Sequence, residues 1–285
     1  MENMSPKSPA ELVAGYVQAG VNKSSYPLPK LFVLGIMAGA FIAIGGSSSS
    51  AACHAVENAG VAKTLAGIVF PIGLMMIVFI GGELFTGCTM MIMGAWQKKY
   101  SYLTVVRTLA CIFFSNMVGA IFIAFLVTQC GQLDYSSGAL GAYTIKVAYG
   151  KANISFMKAF FSGILCNILV CVAVLMAMAA KDMTGKIFAI VFPIFAFVIG
   201  GYEHCVANMY YITAGLLAEC NPQYVELAKE AYGFSQEYLG TLNVENYFVK
   251  NLLPVTIGNI IGGAFCVGVP VYYLNFDKKK SKEIK

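Results

Sequence analysis

The residue in this sequence best suited to chemistry is a histidine inside a long apolar run. His204 lies in the segment 200–208, which interrupts the run 187–218 with two glycines and several polar residues. If this run crosses a membrane, an ionisable side chain within it is costly and indicates a functional position. Because imidazole titrates near neutral pH, His204 could donate a hydrogen bond or a proton to the anion of a weak acid. The alternative is a histidine that is hydrogen-bonded within the core of a helix bundle.

A second apolar run, 65–96, is interrupted in a similar way at residues 81–87, which include Glu83 and Thr86. Lipid cannot satisfy the backbone groups of such a segment, so it occurs where protein buries it or water reaches it. We therefore expect the two breaks to face each other across one pathway. Glu83 and Glu203 are expected to pair with free backbone N–H groups near half-helix starts, where the helix dipole favours a carboxylate.

Three more polar residues lie in or beside apolar runs. Asn167 and Asn259 either bond to neighbouring helices or line a pore, and the residues alone leave both readings open. Lys151 stands just ahead of the run 156–179, where a cation could concentrate anions or simply extend towards the membrane surface. By periodicity alone, the large apolar residues near the breaks are packing or lipid-facing residues: Phe70, Leu74, Leu84, Phe85 and Phe197.

The composition identifies the solvent that this chain needs. Its 285 residues are 58% hydrophobic and 12% charged, whereas soluble domains carry about 25% charged residues. This excludes an ordinary water-soluble enzyme, a disordered chain and a disulfide-stapled secreted module. A spanning helix needs about 20 apolar residues, and six runs provide them: 31–56, 65–96, 103–127, 156–179, 187–218 and 252–274. The sequence therefore predicts an all-α, polytopic membrane protein with six transmembrane helices, the second and fifth interrupted.

An internal repeat divides this core. Three motifs recur in the same order: Val-Phe-Pro-Ile at 69–72 and 191–194, Ile-Gly-Gly before an acidic residue at 80–83 and 199–203, and Asn-x-x-Gly-small-x-Phe at 116–122 and 259–265. The two copies, about 29–128 and 155–275, each hold three spans, an odd number, so they must have opposite orientations. Inverted repeats with interrupted helices are typical of transport proteins, whose solute site lies near the midplane between the repeats.

The basic residues predict the orientation. With a cytoplasmic N-terminus, 13 lysines and arginines fall on inside segments and 6 outside, which satisfies the positive-inside rule and places both termini in the cytoplasm. The lysine-rich tail, 276–285, is then a topology signal and not a nucleic-acid site. The nine cysteines form no CxxC pair and there are two histidines, so we expect neither a metal site nor a disulfide framework.

Residues 1–28 lack the apolar core of a signal peptide. Ser8, Pro9 and Glu11 form a capping-box pattern that predicts the start of an amphipathic helix. Its apolar stripe consists of Leu12, Val13, Tyr16, Val17 and Val21. We expect this helix either to lie on the membrane surface or to dock beneath a neighbouring subunit.

The motifs at the breaks resemble those of the formate/nitrite transporter family. They are Glu-Leu-Phe-Thr-Gly at 83–87, Gly-Tyr-Glu-His at 201–204 with Ala-Asn at 207–208, and Asn-Leu-Leu-Pro-Val-Thr-Ile-Gly-Asn at 251–259. The resemblance covers the six-span core. It implies an aquaporin-like protomer with its own pore, a homopentamer in the plasma membrane, and no cofactor. The implied substrates are small monovalent weak-acid anions, with formate or nitrite expected first and hydrosulfide, acetate or lactate as alternatives.

The resemblance also implies residue roles. His204 is the central pore histidine and Thr86 the hydroxyl that bonds to it; Lys151 is a vestibule lysine, and Asn167 and Asn259 line the pore or anchor its loops. The implied constrictions are an outer pair, Phe70 and Phe197, and an inner pair, Leu74 and Leu84, with Phe85 nearby. Loop support is assigned to Glu83, Glu203 and Tyr202, the last of which is phenylalanine in many relatives.

Two other function classes compete with this interpretation. A water or glycerol channel fits six spans, but the chain lacks the paired Asn-Pro-Ala elements that such pores use. A membrane-embedded enzyme would have only His204, Glu203 and Thr86 as a catalytic set, with no soluble domain. We therefore expect a transporter and not an enzyme.

Overall fold

The chain is helical almost throughout residues 5–276, the part that the computed structural model describes. In chain order the helices are α1 Pro9–Ser24, α2 Leu28–Cys53, α3 Ala59–Val69, α4 Ile72–Ile80, α5 Phe85–Cys88, α6 Ile92–Trp96, α7 Tyr102–Gln129, α8 Ala139–Ala152, α9 Phe156–Ala179, α10 Met183–Ile199, α11 Cys205–Ala218, α12 Pro222–Tyr232 and α13 Gln236–Leu239. A last helix, Val244–Asn275, includes two π-helical stretches. The predicted basic tail lies outside the described residues from residue 277 onwards.

The predicted spans are present. Within residues 5–276, five helical stretches are long and apolar enough to cross a membrane: α2, α3 with α4, α7, α9 and the last helix. The fifth predicted span consists of two shorter apolar helices, α10 and α11. The all-α, six-span fold with interrupted second and fifth spans is therefore confirmed.

Each break contains a glycine whose backbone has a positive φ angle. Gly81 has φ +105° and Gly201 has φ +66°, values that glycine adopts without the steric cost of a Cβ atom. The chain leaves helix α4 at Gly81 and enters α5 at Phe85, and it leaves α10 after Ile199. At each of these turns the helix ends, and the residues of the break that follows enter the protein interior.

Within each repeat, small residues bring the first and third spans close together. A Cβ atom on Gly119 of α7 would collide with the Ile36 carbonyl of α2, and one on Gly262 of the last helix would collide with the Ile164 carbonyl of α9. Such small-residue contacts let membrane helices pack backbone to backbone. The pair α2 with α7 thus corresponds to the pair α9 with the last helix.

Helix α1 packs on its own chain along part of its apolar stripe. Its predicted capping box is formed, with the Glu11 N–H donating to Ser8 Oγ and the Ser8 N–H donating to the Glu11 side chain. Val13, Tyr16 and Val17 are buried in a cluster with residues of the other helices, among them Met90, Met93, Cys171, Leu175 and Val267. Three residues of the stripe are therefore buried within the chain, and the placement of α1 at a membrane surface or beneath a second subunit stays a prediction.

Helix α8 has no counterpart among the sequence predictions. It starts after Gly138, whose φ is +91°, and carries Lys151 in its last turn. It packs against α11 and α12. The connection between the repeats therefore supplies a rigid element that fixes the position of Lys151.

Candidate functional site

The buried histidine lies where the two breaks meet. His204 is 2% exposed, and its Nε2 lies 2.8 Å from Thr86 Oγ1. Its Nδ1 accepts a hydrogen bond from the Ala207 N–H at 3.1 Å, so the side chain caps helix α11. Because a backbone N–H can only donate, Nδ1 carries no proton, and Nε2–H donates to Thr86. The hydroxyl hydrogen of Thr86 is then left to donate to another group.

Two phenylalanine rings lie beside this histidine. The centroids of Phe70 and Phe197 are 5.4 Å apart, with the rings edge to face, and the Phe197 ring lies 6.0 Å from that of His204. Both rings line a cavity of about 250 Å³ that also includes Lys151, Tyr202 and His204. We call this cavity the vestibule. The two rings and the histidine therefore line the same cavity, and the outer constriction stays a prediction.

The residues expected to form the inner constriction lie elsewhere. Leu74, Leu84 and Phe85 are buried, at 3%, 5% and 4% exposure, and none of them lines the vestibule. The Phe85 ring packs edge-on against Phe113 of α7, with centroids 5.1 Å apart. Phe85 therefore supports the contact with α7, and the inner constriction stays a prediction.

Asn259 clamps the break that precedes α11. Its Nδ2 donates to the carbonyls of Gly163 at 2.7 Å and Glu203 at 3.0 Å. Its Oδ1 accepts from the Cys205 N–H at 2.9 Å. One fully buried side chain thus satisfies backbone groups on both sides of His204, which a non-helical loop in an apolar core requires.

Asn116 clamps the other break with the same three bonds. Its Nδ2 donates to the carbonyls of Gly35 at 2.7 Å and Glu83 at 2.9 Å, and its Oδ1 accepts from the Phe85 N–H at 2.9 Å. Asn116 belongs to the repeat motif, but it was not among the site residues expected from the sequence. Its equivalence to Asn259 in the motif was the signal that could have identified it.

Asn167 joins the first break to Asn259, the residue that clamps the second break. Its Nδ2 donates to the Asn259 carbonyl at 2.6 Å, the Thr86 carbonyl at 3.2 Å and Thr89 Oγ1 at 3.2 Å. Asn167 and Asn259 are both fully buried, and neither lines the vestibule. The sequence left open whether these asparagines bond to neighbouring helices or line a pore. The structure shows the hydrogen bonds between helices.

Each loop glutamate forms an ion pair with a lysine, which corrects the expectation that backbone N–H groups hold the carboxylates. Lys151 Nζ lies 3.0 Å from Glu203 Oε1, and Lys23 Nζ lies 2.6 Å from Glu83 Oε2. The glutamates are only 6% and 7% exposed, and a buried carboxylate is tolerated when a cation and hydrogen bonds compensate it. Lys23 is one of the 13 basic residues expected on the inside segments, and its sequence position gives no sign of a pairing with Glu83.

The second partners of the two carboxylates differ. Glu203 Oε2 accepts from Asn208 Nδ2 at 2.6 Å and from Asn251 Nδ2 at 3.2 Å. Glu83 Oε2 accepts instead from the thiol of Cys88, with a sulfur–oxygen distance of 3.2 Å. Cys88 and Asn208 each lie five residues after their glutamate. Asn208 and Asn251 fall within the sequence motifs, whereas nothing in the sequence singles out Cys88.

Tyr202 lines the vestibule beside His204, and its backbone N–H donates to the Phe197 carbonyl at 3.2 Å. This bond links the loop to the backbone of Phe197 at the end of α10. Within residues 5–276, no group of three or more histidine, cysteine or acidic side chains is arranged to hold a metal ion.

Comparisons with known proteins agree with the motifs. A family model described as formate/nitrite transporter matches residues 10–273. A probable formate transporter of Methanothermobacter thermautotrophicus is 36% identical, over 94% of this chain and 96% of that protein. The formate channel FocA of Haemophilus influenzae is 36% identical, over 85% of this chain and 86% of that protein.

One solved structure is also similar over most of the chain. It is described as a pentameric formate channel with formate bound, and it aligns with a TM-score of 0.76 at 30% identity. The alignment covers 87% of this chain and 97% of that one. The family match spans both breaks, both clamps and all six spans. The chain therefore belongs to the formate/nitrite transporter family.

Proposed function

We propose that this protein is a membrane channel for small monovalent anions of weak acids, with formate or nitrite as the expected substrate. The observation that carries the proposal is the buried His204–Thr86 pair, with a 2.8 Å contact, next to the Phe70–Phe197 rings. Support also comes from two relatives of this chain, one described as a probable formate transporter and the other as a formate channel. Hydrosulfide, acetate and lactate are the alternatives within the same class.

The site suits a weak acid because it offers hydrogen-bond donors to a solute that has lost its hydration water. A charged solute that leaves water without compensation pays a large desolvation cost, which a neutral acid largely avoids. His204 donates through Nε2 to Thr86, and the Thr86 O–H remains for the substrate. The substrate then passes as a closely hydrogen-bonded anion or as the neutral acid.

The capping role of His204 favours hydrogen-bond donation over transfer from an imidazolium. A proton on Nδ1 would face the Ala207 N–H, which now donates to that atom at 3.1 Å. Two donors facing each other would break the cap of α11 and leave a buried N–H unpaired. A neutral imidazole with its proton on Nε2 keeps both contacts. The mechanism we propose therefore uses His204 as a fixed donor that polarises Thr86.

The assembly and location follow from the same family argument. We propose a homopentamer, supported by the description of the similar solved structure as a pentameric formate channel. We place it in the plasma membrane with both termini in the cytoplasm, since 13 of the 19 basic residues then fall on inside segments. In this orientation the vestibule opens outwards and α1 lies on the cytoplasmic side. The repeats about 29–128 and 155–275 form one pore in each protomer.

A flux panel in proteoliposomes tests the proposal. Formate, nitrite, hydrosulfide and acetate are compared with glycerol at two pH values, and at least one of the anions should cross far faster than glycerol. His204→Ala should reduce that flux at least about tenfold, since it removes a donor needed at the barrier. His54→Ala is the matched control, because this histidine bonds to Ala51 and Ser136 outside the vestibule. Full anion flux in His204→Ala, or faster glycerol flux, would overturn the proposal.

A further inference from the structure

The vestibule is lined by two lysines, Lys63 and Lys151, and their charges are not equally available. Lys151 lies 3.0 Å from the Glu203 carboxylate, and both side chains are largely buried, at 17% and 8% exposure. The fields of two opposite charges at this separation largely cancel at distances several times greater, such as those from which an anion approaches in bulk water. Lys151 therefore contributes little to the attraction of an anion from bulk water, although it is close to the path.

Lys63 carries a charge with no such compensation. It is exposed on α3, and no carboxylate within residues 5–276 lies within the 4.0 Å that defines an ion pair with it. Its Nζ lies 3.5 Å from the carbonyl of Ile199, the last residue of α10. Lys63 thus presents a net positive charge at the rim of the vestibule.

The position of Lys63 at a helix end strengthens this effect. The C-terminal carbonyls of a helix carry a partial negative charge, which repels anions and attracts cations. The end of α10 lies beside Gly201, where an added Cβ atom would be 3.0 Å from Lys63 Nζ. From this point the chain leads through the break to His204. Without Lys63, the end of α10 would present a negative potential to an approaching anion.

We propose that Lys63 is the residue that recruits anions to the vestibule, ahead of the Phe70–Phe197 rings. The inference rests on the proposed anion-channel function and adds a residue to it. Lys151, in contrast, positions the loop through Glu203. Since Lys63 lies on the vestibule side alone, it accelerates entry from that side and leaves entry from the α1 side unchanged.

The test compares anion entry in right-side-out and inside-out membrane vesicles at low ionic strength. Lys63→Gln should slow entry from the vestibule side about threefold, the effect of one unit charge several ångströms away in water, and Lys63→Arg should retain the wild-type rate. Lys158→Gln is the matched control, because Lys158 is also exposed but does not line the vestibule. Equal slowing by Lys63→Gln and Lys158→Gln, or equal slowing from both sides, would overturn the inference.

A second measurement compares the salt dependence of the wild-type protein with that of Lys63→Gln. Raising the salt concentration shortens the Debye length from about 30 Å at 0.01 M to about 3 Å at 1 M, so entry from the vestibule side should slow more in the wild-type protein than in Lys63→Gln. An equal salt dependence in the two proteins would refute recruitment by Lys63. The His204→Ala variant separates the two proposals: if it blocks flux while Lys63→Gln leaves entry unchanged, the channel function stands and recruitment by Lys63 fails.

Discussion

Each of the two breaks contains a glutamate that pairs with a lysine, but the two carboxylates are held in different ways. Glu203 pairs with Lys151, and two side-chain amides bond to its other oxygen. Glu83 pairs with Lys23, and a single thiol, that of Cys88, is its other side-chain donor. A thiol is a weak donor compared with an amide. The α1 side of the pore is therefore held by one ion pair, whereas the vestibule side is held by a network.

The lysines also come from elements with different attachments. Lys151 ends α8, which lies between the repeats and packs on α11 and α12. Lys23 lies in the last turn of α1, near the start of the chain. Helix α1 is further held by the bond from the Tyr16 hydroxyl to the Gly87 carbonyl at 2.5 Å. What the halves share is the asparagine clamp, and what distinguishes them is how strongly the carboxylate and its cation are fixed.

The largest expected effect, on both stability and anion flux, comes from removing one of the two asparagine clamps. Asn116→Leu or Asn259→Leu leaves two carbonyls and one N–H of a buried loop without their side-chain partner. We expect each variant to lose about 3–5 kcal/mol of stability, since each unpaired buried group costs about 1–3 kcal/mol, and to lose most of its anion flux. Thermal unfolding in detergent and proteoliposome flux measure the two effects.

The control for this prediction is Ser115→Ala on the same helix as Asn116. Ser115 is also fully buried, but its hydroxyl donates only to carbonyls of its own helix, those of Cys111 and Ile112, so the loss should be small. Comparable losses in the two leucine variants support equivalent clamps. A large loss in only one of them would show that the two halves are not equivalent even in their shared part.

The spans and the breaks could be predicted from the sequence, but the ion pairs could not. The reason is that spans and breaks depend on neighbouring residues, whereas the ion pairs join residues far apart in the chain. The span 156–179 coincides with helix α9, Phe156–Ala179, because an apolar run and its ends are local features. The glycine breaks were also visible locally. Lys23 and Glu83 are 60 residues apart in the chain, and no local pattern pairs them. The sequence showed Asn116 and Asn259 as a repeated motif but not the backbone groups that they bind.

The second prediction tests which carboxylate depends more on its lysine. Lys23→Met leaves Glu83 with the Cys88 thiol as its side-chain donor, whereas Lys151→Met leaves Glu203 with two amide donors. Removing one partner of a buried ion pair costs about 3–5 kcal/mol. We expect Lys23→Met to approach that loss and Lys151→Met to stay about 1–2 kcal/mol below it, since charge-assisted amide bonds still hold its carboxylate.

Thermal unfolding of the two methionine variants measures this difference, and a second substitution identifies its source. In the Lys23→Met background, Glu83→Gln removes the uncompensated charge and should recover part of the lost stability. Absence of any recovery would mean that the loss came from the contacts of α1 and not from the carboxylate. A larger loss in Lys151→Met than in Lys23→Met would reverse the comparison between the halves.

The smallest effect concerns the second donors themselves. Asn208 donates to Glu203 at 2.6 Å and to Asn251 Oδ1 at 2.7 Å, but its own Oδ1 is buried without a partner within residues 5–276. Truncation removes two good bonds together with one unsatisfied acceptor, so the gain partly offsets the loss. We expect Asn208→Ala to cost about 2 kcal/mol and Cys88→Ala less than about 1 kcal/mol, since the thiol contributes one weak bond.

The exchange of these two residues gives the sharpest form of this comparison. Asn208→Cys places a thiol next to Glu203, and Cys88→Asn places an amide next to Glu83, five residues after the glutamate in each case. If the amide is what fixes the carboxylate, Asn208→Cys should lose nearly as much stability as Asn208→Ala, and Asn208→Cys should make the protein more sensitive to Lys151→Met. Additive losses in that double variant would mean that the amide and the lysine act independently. The difference between the halves would then lie in the attachment of α1 and α8, not in the donors around the glutamates.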